Sequence, residues 1–156
     1  KRLLGGSSIH LSTQLQASSS RTRSKFWDSE APSKVLVFSW RLLLDRLPSC
    51  EQLHKRNIHI QNLEASCYFC NWRKETTQHL FLMCPETIHI WQGIYRWLGT
   101  DIVFPQEIYQ LYDQFGLFIH GRKCRIWKHL IWHGARWCIW KIRNGIAFRG
   151  ELKIIS

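Results

Sequence analysis

The sequence predicts a mainly α-helical protein, a small helical domain organised around a Cys-Cys-His-Cys zinc knuckle and followed by a basic C-terminal helix. Three observations carry that expectation. Cys67, Cys70, His79 and Cys84 fall within eighteen residues in the pattern Cys-x2-Cys-x8-His-x4-Cys. Apolar residues elsewhere recur at three- and four-residue intervals, the period of an amphipathic helix. No alternating run longer than four residues suggests a strand, and no internal repeat is present.

Residues 1–25 hold five basic and no acidic groups among Ser, Thr, Gly and Gln, a composition expected to be poorly ordered. From Phe26-Trp27 the composition changes. Ala31-Pro32-Ser33-Lys34 marks a helix start with Ser33 as cap, and Lys34–Arg46 is apolar on nearly every side, which predicts a buried helix ending before Leu47-Pro48. Ser49-Cys-Glu-Gln52 has the form of a capping box and opens a second helix to about Arg56.

The metal-ligand spacing comes next. Two cysteines separated by two residues can aim both sulfurs at one point from a tight loop, and a short helical turn returns His79 and Cys84 to it before Pro85. A redox pair or disulfide at Cys67 and Cys70 is the competing use, and His89 is the rival histidine ligand. Four protein ligands complete a tetrahedron, so the expected cofactor is one structural zinc ion, without which so small a segment would unfold.

Beyond the loop, Glu86 to about Leu98 reads as a helix ended by Gly99, and Pro105-Gln-Glu107 opens a shorter one with Ile108, Leu111, Tyr112 and Phe115. The segment Arg122–Arg143 sorts into two faces at about 100° per residue. One carries Cys124, Trp127, Ile131, Ala135, Cys138 and Ile142 and is expected to face the core. The other, Arg122, Arg125, His129, His133, Arg136, Trp140 and Arg143, reads as a basic strip with an exposed indole, the competing reading being a merely solvated charged face.

Charge points to the partner. The formal net charge is +11, distributed as +5 over residues 1–25, −2 over 26–120 and +8 over 121–156, so both ends favour a polyanion, RNA or DNA. The residues expected to touch it are Trp72, Arg73 and Lys74 in the loop and Arg122, Arg125, Arg136, Trp140 and Arg143 in the last helix, with Tyr68 available to stack and Phe69 assigned to the core. The eleven acidic residues are dispersed and no Tyr-x-Asp-Asp run occurs, so neither polymerase nor nuclease chemistry is expected; Cys50 and His54 resemble a nucleophile and base only in spacing. Cys50, Cys124 and Cys138 follow no disulfide framework, which suggests an intracellular setting, and no run of about 18 apolar residues could span a membrane. A chain starting at Lys1 without a hydrophobic signal core reads as part of something longer.

Several of these residues together resemble a known family. Phe26-Trp27, Ala31-Pro32-Ser33-Lys34-Val35, Phe38-Ser-Trp40-Arg41, Asp45-Arg46-Leu47-Pro48, Leu53-His54-Lys-Arg56, Cys67-x2-Cys70, Glu75-Thr76-Thr-Gln-His79-Leu80-Phe81 and Cys84-Pro85 are similar to the zinc-binding domain that follows the reverse transcriptase of plant non-LTR, LINE-type retrotransposons. The likeness covers roughly residues 26–98, and Trp137-x2-Trp140-Lys-x-Arg143-Asn144 with Phe148 resembles a segment downstream in the same proteins. It implies zinc on Cys67, Cys70, His79 and Cys84, with eight residues rather than the four of the retroviral knuckle before the histidine. It also implies a non-catalytic module that binds RNA or DNA, a reverse transcriptase as the parent polypeptide and a nuclear location. The expected organisation is a connector remnant over 1–25, the zinc-binding domain over 26–100 and a helical basic extension over 101–156. The alternatives are a structural or protein-interaction module that braces a polymerase, and a decayed element fragment without activity.

Overall fold

In a computed structural model the described residues are Trp27, 29–58, 66–101, 103–117 and 122–150, with side chains not described at 116–117 and 122–126. The connector at 1–25 therefore lies outside them. From Ala31 on, the chain folds as one unit of helices: α1 (Ser33–Leu43), α2 (Cys50–Lys55), a π-helical turn (His79–Met83), α3 (Pro85–Trp97), α4 (Ile108–Leu117) and α5 (Arg122–Arg149). Among the described residues the only β feature is an isolated antiparallel bridge between Ser66 and Lys74. None of their helices is long and apolar enough to cross a membrane.

Helix α1 starts after Pro32, so Ser33 is its first residue rather than its cap, and it stops short of Arg46 because Asp45 turns into left-handed backbone at φ 51°. It buries Val35, Leu36, Phe38, Ser39 and Leu42 and leaves Val37 exposed, as is Leu44 just past its end. An almost uniformly apolar helix is thus covered on one side only. Half of the expected capping box of α2 forms, with Ser49 accepting a hydrogen bond from Gln52 N, whereas the Gln52 side chain donates to Asp45 Oδ2 at 2.7 Å and Ser49 N donates to Leu47 O. Helix α3 has Pro at its first position, where the missing N–H costs nothing, and Gly99 at φ 69° ends it. Trp91 and Tyr95 of α3 and Leu111, Tyr112 and Phe115 of α4 supply buried aromatic and aliphatic bulk.

Helix α5 is the main departure from expectation. It packs on α1 and α4, runs six residues beyond Arg143 to Arg149, and its two faces are exchanged. Trp132, His133, Arg136, Ile139, Trp140 and Arg143 are buried, whereas Trp127, Cys138 and Ile142 are exposed. The reason is the chemistry of arginine: its planar, weakly hydrated guanidinium stacks on rings, so it enters a core that supplies them. Arg136 lies 4.0 Å from the Trp132 ring centroid and 5.4 Å from that of Trp91. Arg143 sits among Tyr68, Trp140 and Phe148 at 4.8, 5.1 and 5.7 Å. The indole of Trp140, expected in solvent, stacks instead with Phe81 and packs on Phe38.

Candidate metal centre

The first two ligand candidates sit on a tight loop. Cys67 N donates to Arg73 O at 2.7 Å and Asn71 N to Cys67 O at 2.8 Å, and Asn71 takes the reversing left-handed conformation at φ 62°. Asparagine tolerates that region better than most residues. The N–H groups of Phe69 and Cys70 are directed at the Cys67 sulfur, and the Phe69 ring is fully buried beneath the loop.

The second pair is set by the π-helical turn. Thr76 Oγ1 accepts from His79 N at 2.9 Å, which opens the turn, and Cys84 N donates to His79 O at 2.7 Å, five residues back, which closes it. That i to i−5 bond brings residues 79 and 84 onto one side. Cys84 then caps α3, and the N–H groups of Glu86 and Thr87 favour negative charge on its sulfur. Thr87 Oγ1 donates to Leu80 O and Trp91 Nε1 to Phe81 O, which pins the turn to α3.

The outcome is a cluster in which the ligand atoms of Cys67, Cys70, His79 and Cys84 all lie within 4.8 Å of one another. Cys67 Sγ and Cys84 Sγ are 3.9 Å apart, and Cys70 Sγ and His79 Nε2 are 3.3 Å apart. A zinc tetrahedron with bonds of about 2.0 to 2.3 Å has edges of about 3.3 to 3.8 Å, so this donor set fits the ion with little movement. His89 is exposed on α3 and outside the cluster.

Within the cluster Cys67, His79 and Cys84 shift one another's hold on a proton. The contact with Cys84, reinforced by burial, pushes the Cys67 thiol up to about 12, while the same contact draws Cys84 downward. Hydrogen bonding to Cys67, and secondarily to Cys70, raises His79 against the opposing effect of burial. Metal binding must displace the thiol protons, so occupancy falls with pH.

One buried charge pair fastens this loop to the rest of the protein, and its partners stand 68 residues apart in sequence. Glu75 Oε1 accepts from Arg143 Nη2 at 2.5 Å and from Cys50 N at 3.0 Å, and both of its oxygens accept from Arg143 Nε at 3.1 Å. Arg143 Nη2 also approaches Cys50 Sγ at 3.3 Å. Burial chiefly, with the Glu75 charge, pushes the Cys50 thiol up to about 12, which is the wrong direction for a nucleophile. Sequence reasoning gave Glu75 no role; the available signal was that it is the only carboxylate between Cys67 and Cys84.

The residues expected to meet nucleic acid divide. Trp72, Arg73 and Lys74 are exposed at the tip of the loop, with the Arg73 guanidinium 5.4 Å from the Trp72 ring centroid. Tyr68 is half-buried beneath Arg143. Arg136, Trp140 and Arg143 lie inside the fold, and the side chains of Arg122 and Arg125 lie outside the described set.

No curated protein and no solved structure matches the chain. A family profile described as zinc-binding in reverse transcriptase matches residues 7–91, which takes in all four clustered ligands and stops within α3. On that match and on a Cys3His cluster shaped for zinc, the chain belongs to the family of zinc-binding domains in reverse transcriptase.

Proposed function

We propose that this zinc-binding module is a non-catalytic nucleic-acid grip, and that its contact point is the exposed tip Trp72-Arg73-Lys74. The observation that carries the reading is the 66 % exposure of Trp72, an indole left in water beside two cations while Phe69, three residues earlier, is fully buried. An exposed indole stacks on an unpaired base for about 1 to 3 kcal/mol, and the flanking cations neutralise phosphates. Asn71 and the bridge from Ser66 to Lys74 hold the tip in shape, and zinc would fix its base. A metal with four protein ligands keeps no open position for a reacting water, which supports binding over catalysis. The likeness to plant LINE-type elements supports a retrotransposon parent and a nuclear site of action, with 1–25 a connector remnant, 26–100 the zinc-binding domain and 101–156 its helical extension.

Arg136, Trp140 and Arg143 have no part in this grip while α5 is docked. Binding of a fluorescent single-stranded RNA and its DNA counterpart by the zinc-loaded chain tests the reading. Trp72→Ala is expected to weaken binding by about 5- to 150-fold, and Arg73→Glu with Lys74→Glu to flatten the salt dependence by about 1.4 in log–log slope. Binding untouched by these changes would overturn it.

A further inference from the structure

The outer side of α5 is an apolar stripe, exposed at its ends and partly exposed at its middle. Trp127, Ile131, the adjacent pair Gly134 and Ala135, Cys138 and Ile142 follow at three- and four-residue steps along one side of the helix. Trp127 is 65 % exposed, Cys138 and Ile142 are exposed, and the three between are partly so. A surface helix ordinarily turns its charges outward. Here Lys128, Arg136 and Arg143 point inward, and of the exposed residues from 127 to 142 only Lys141 is charged.

The order of sizes along the stripe is the same from either end. Bulky side chains flank a small pair at the centre, Gly134 and Ala135. Trp127 and Ile142 stand equally far from that centre, as do Ile131 and Cys138. A Cβ built on Gly134 would meet nothing within 4 Å, so open space faces the narrowest point of the helix. Small residues at a crossing let two helix axes approach to about 8 Å.

Charge selects the orientation. In an antiparallel pair the two Lys141 side chains fall about 20 Å apart along the axis, beyond a Debye length of about 8 Å, and each comes beside the other copy's Trp127 ring. In a parallel pair the two ammonium groups would sit side by side.

We propose that α5 is a self-association surface, on which two copies of this chain pair antiparallel about a two-fold axis between Gly134 and Ala135. Trp127 packs on the second copy's Ile142, and Ile131 on its Cys138. The stripe is about 22 Å long and covers on the order of 400 Å² per copy, half the roughly 800 Å² per partner of a standard interface. The dimer is therefore weak and concentration-dependent.

Sedimentation velocity of the zinc-loaded chain from about 5 to 500 µM is the first test. The chain shifts from monomer to dimer across that range, and Ala135→Glu, at a partly exposed position remote from the ligands, weakens the dimer at least tenfold with its helicity retained. The second test reads the register. Ile131→Cys with oxidised glutathione forms a linked dimer through Cys138 of the second copy, and Ile131→Cys with Cys138→Ser does not. A chain that stays monomeric throughout, a dimer indifferent to Ala135→Glu, or a crosslink that forms equally without Cys138 overturns the proposal.

Discussion

Arg143→Met is the substitution that weighs the joint between the metal loop and the long helix. Both side chains of the pair are out of water, Arg143 at 1 % and Glu75 at 0 % exposure. Burial works against the charge of Arg143, but the hydrogen bonds and charge of Glu75 outweigh it and hold the guanidinium above its ordinary value. Methionine keeps the packing against Tyr68 and Trp140 and removes the charge. The carboxylate of Glu75 is then left buried with only the backbone N–H and the weakly donating thiol of Cys50 as described hydrogen-bond donors, at a cost of about 3 to 5 kcal/mol. Replacing both members, as Glu75→Leu with Arg143→Met, removes the stranded charge and orphans the Cys50 N–H, worth about 1 to 3 kcal/mol, together with its weak thiol donor. The double variant is therefore expected to be more stable than the single one. Denaturant unfolding of zinc-loaded protein, followed by far-UV circular dichroism, measures both. Because Glu75 lies between Cys70 and His79 and its carbonyl also accepts from Glu51 N at 3.2 Å, the single variant should lose zinc faster to a chelator although Arg143 is no ligand. A cost below about 1 kcal/mol for Arg143→Met, or a double variant no better than the single one, would refute the reasoning.

Two further outcomes follow from the same geometry. Cys67→Ser and Cys84→Ser are each expected to abolish stoichiometric zinc and His89→Ala to retain it, as read by metal analysis of purified protein, because the first two belong to the cluster and His89 does not. His133 is fully buried with Nδ1 2.8 Å from Ser39 Oγ, and burial, aided by the charges of His129 and Arg136, pushes its pKa down to about 4. The unfolded chain takes up that proton at about pH 6.5, so the contribution of a neutral His133 is complete above 6.5 and is lost as pH falls toward 4. The loss is about 3 kcal/mol at most. The wild type should lose about that much more stability than His133→Asn between pH 6.5 and 4, the variant subtracting the acid release of zinc common to both; parallel pH profiles would contradict this.

What could be read from the sequence was whatever depends on neighbours along the chain. Helix period, the Ser49 cap, the proline and glycine at the ends of α3, and the ligand spacing are local, and each was legible before any coordinates. The direction in which α5 faces was not. Its wheel offers an apolar side and a basic side, and the basic side won because Trp91, Phe81, Tyr68 and Glu75, all distant in sequence, supply rings and a carboxylate for those guanidinium groups. Local patterns suffice for a helical chain with four metal ligands in reach of one another. Which cations lie inside it and which indoles remain in water follows from the assembled fold, since the free energy of a buried arginine depends on partners that no local pattern reveals.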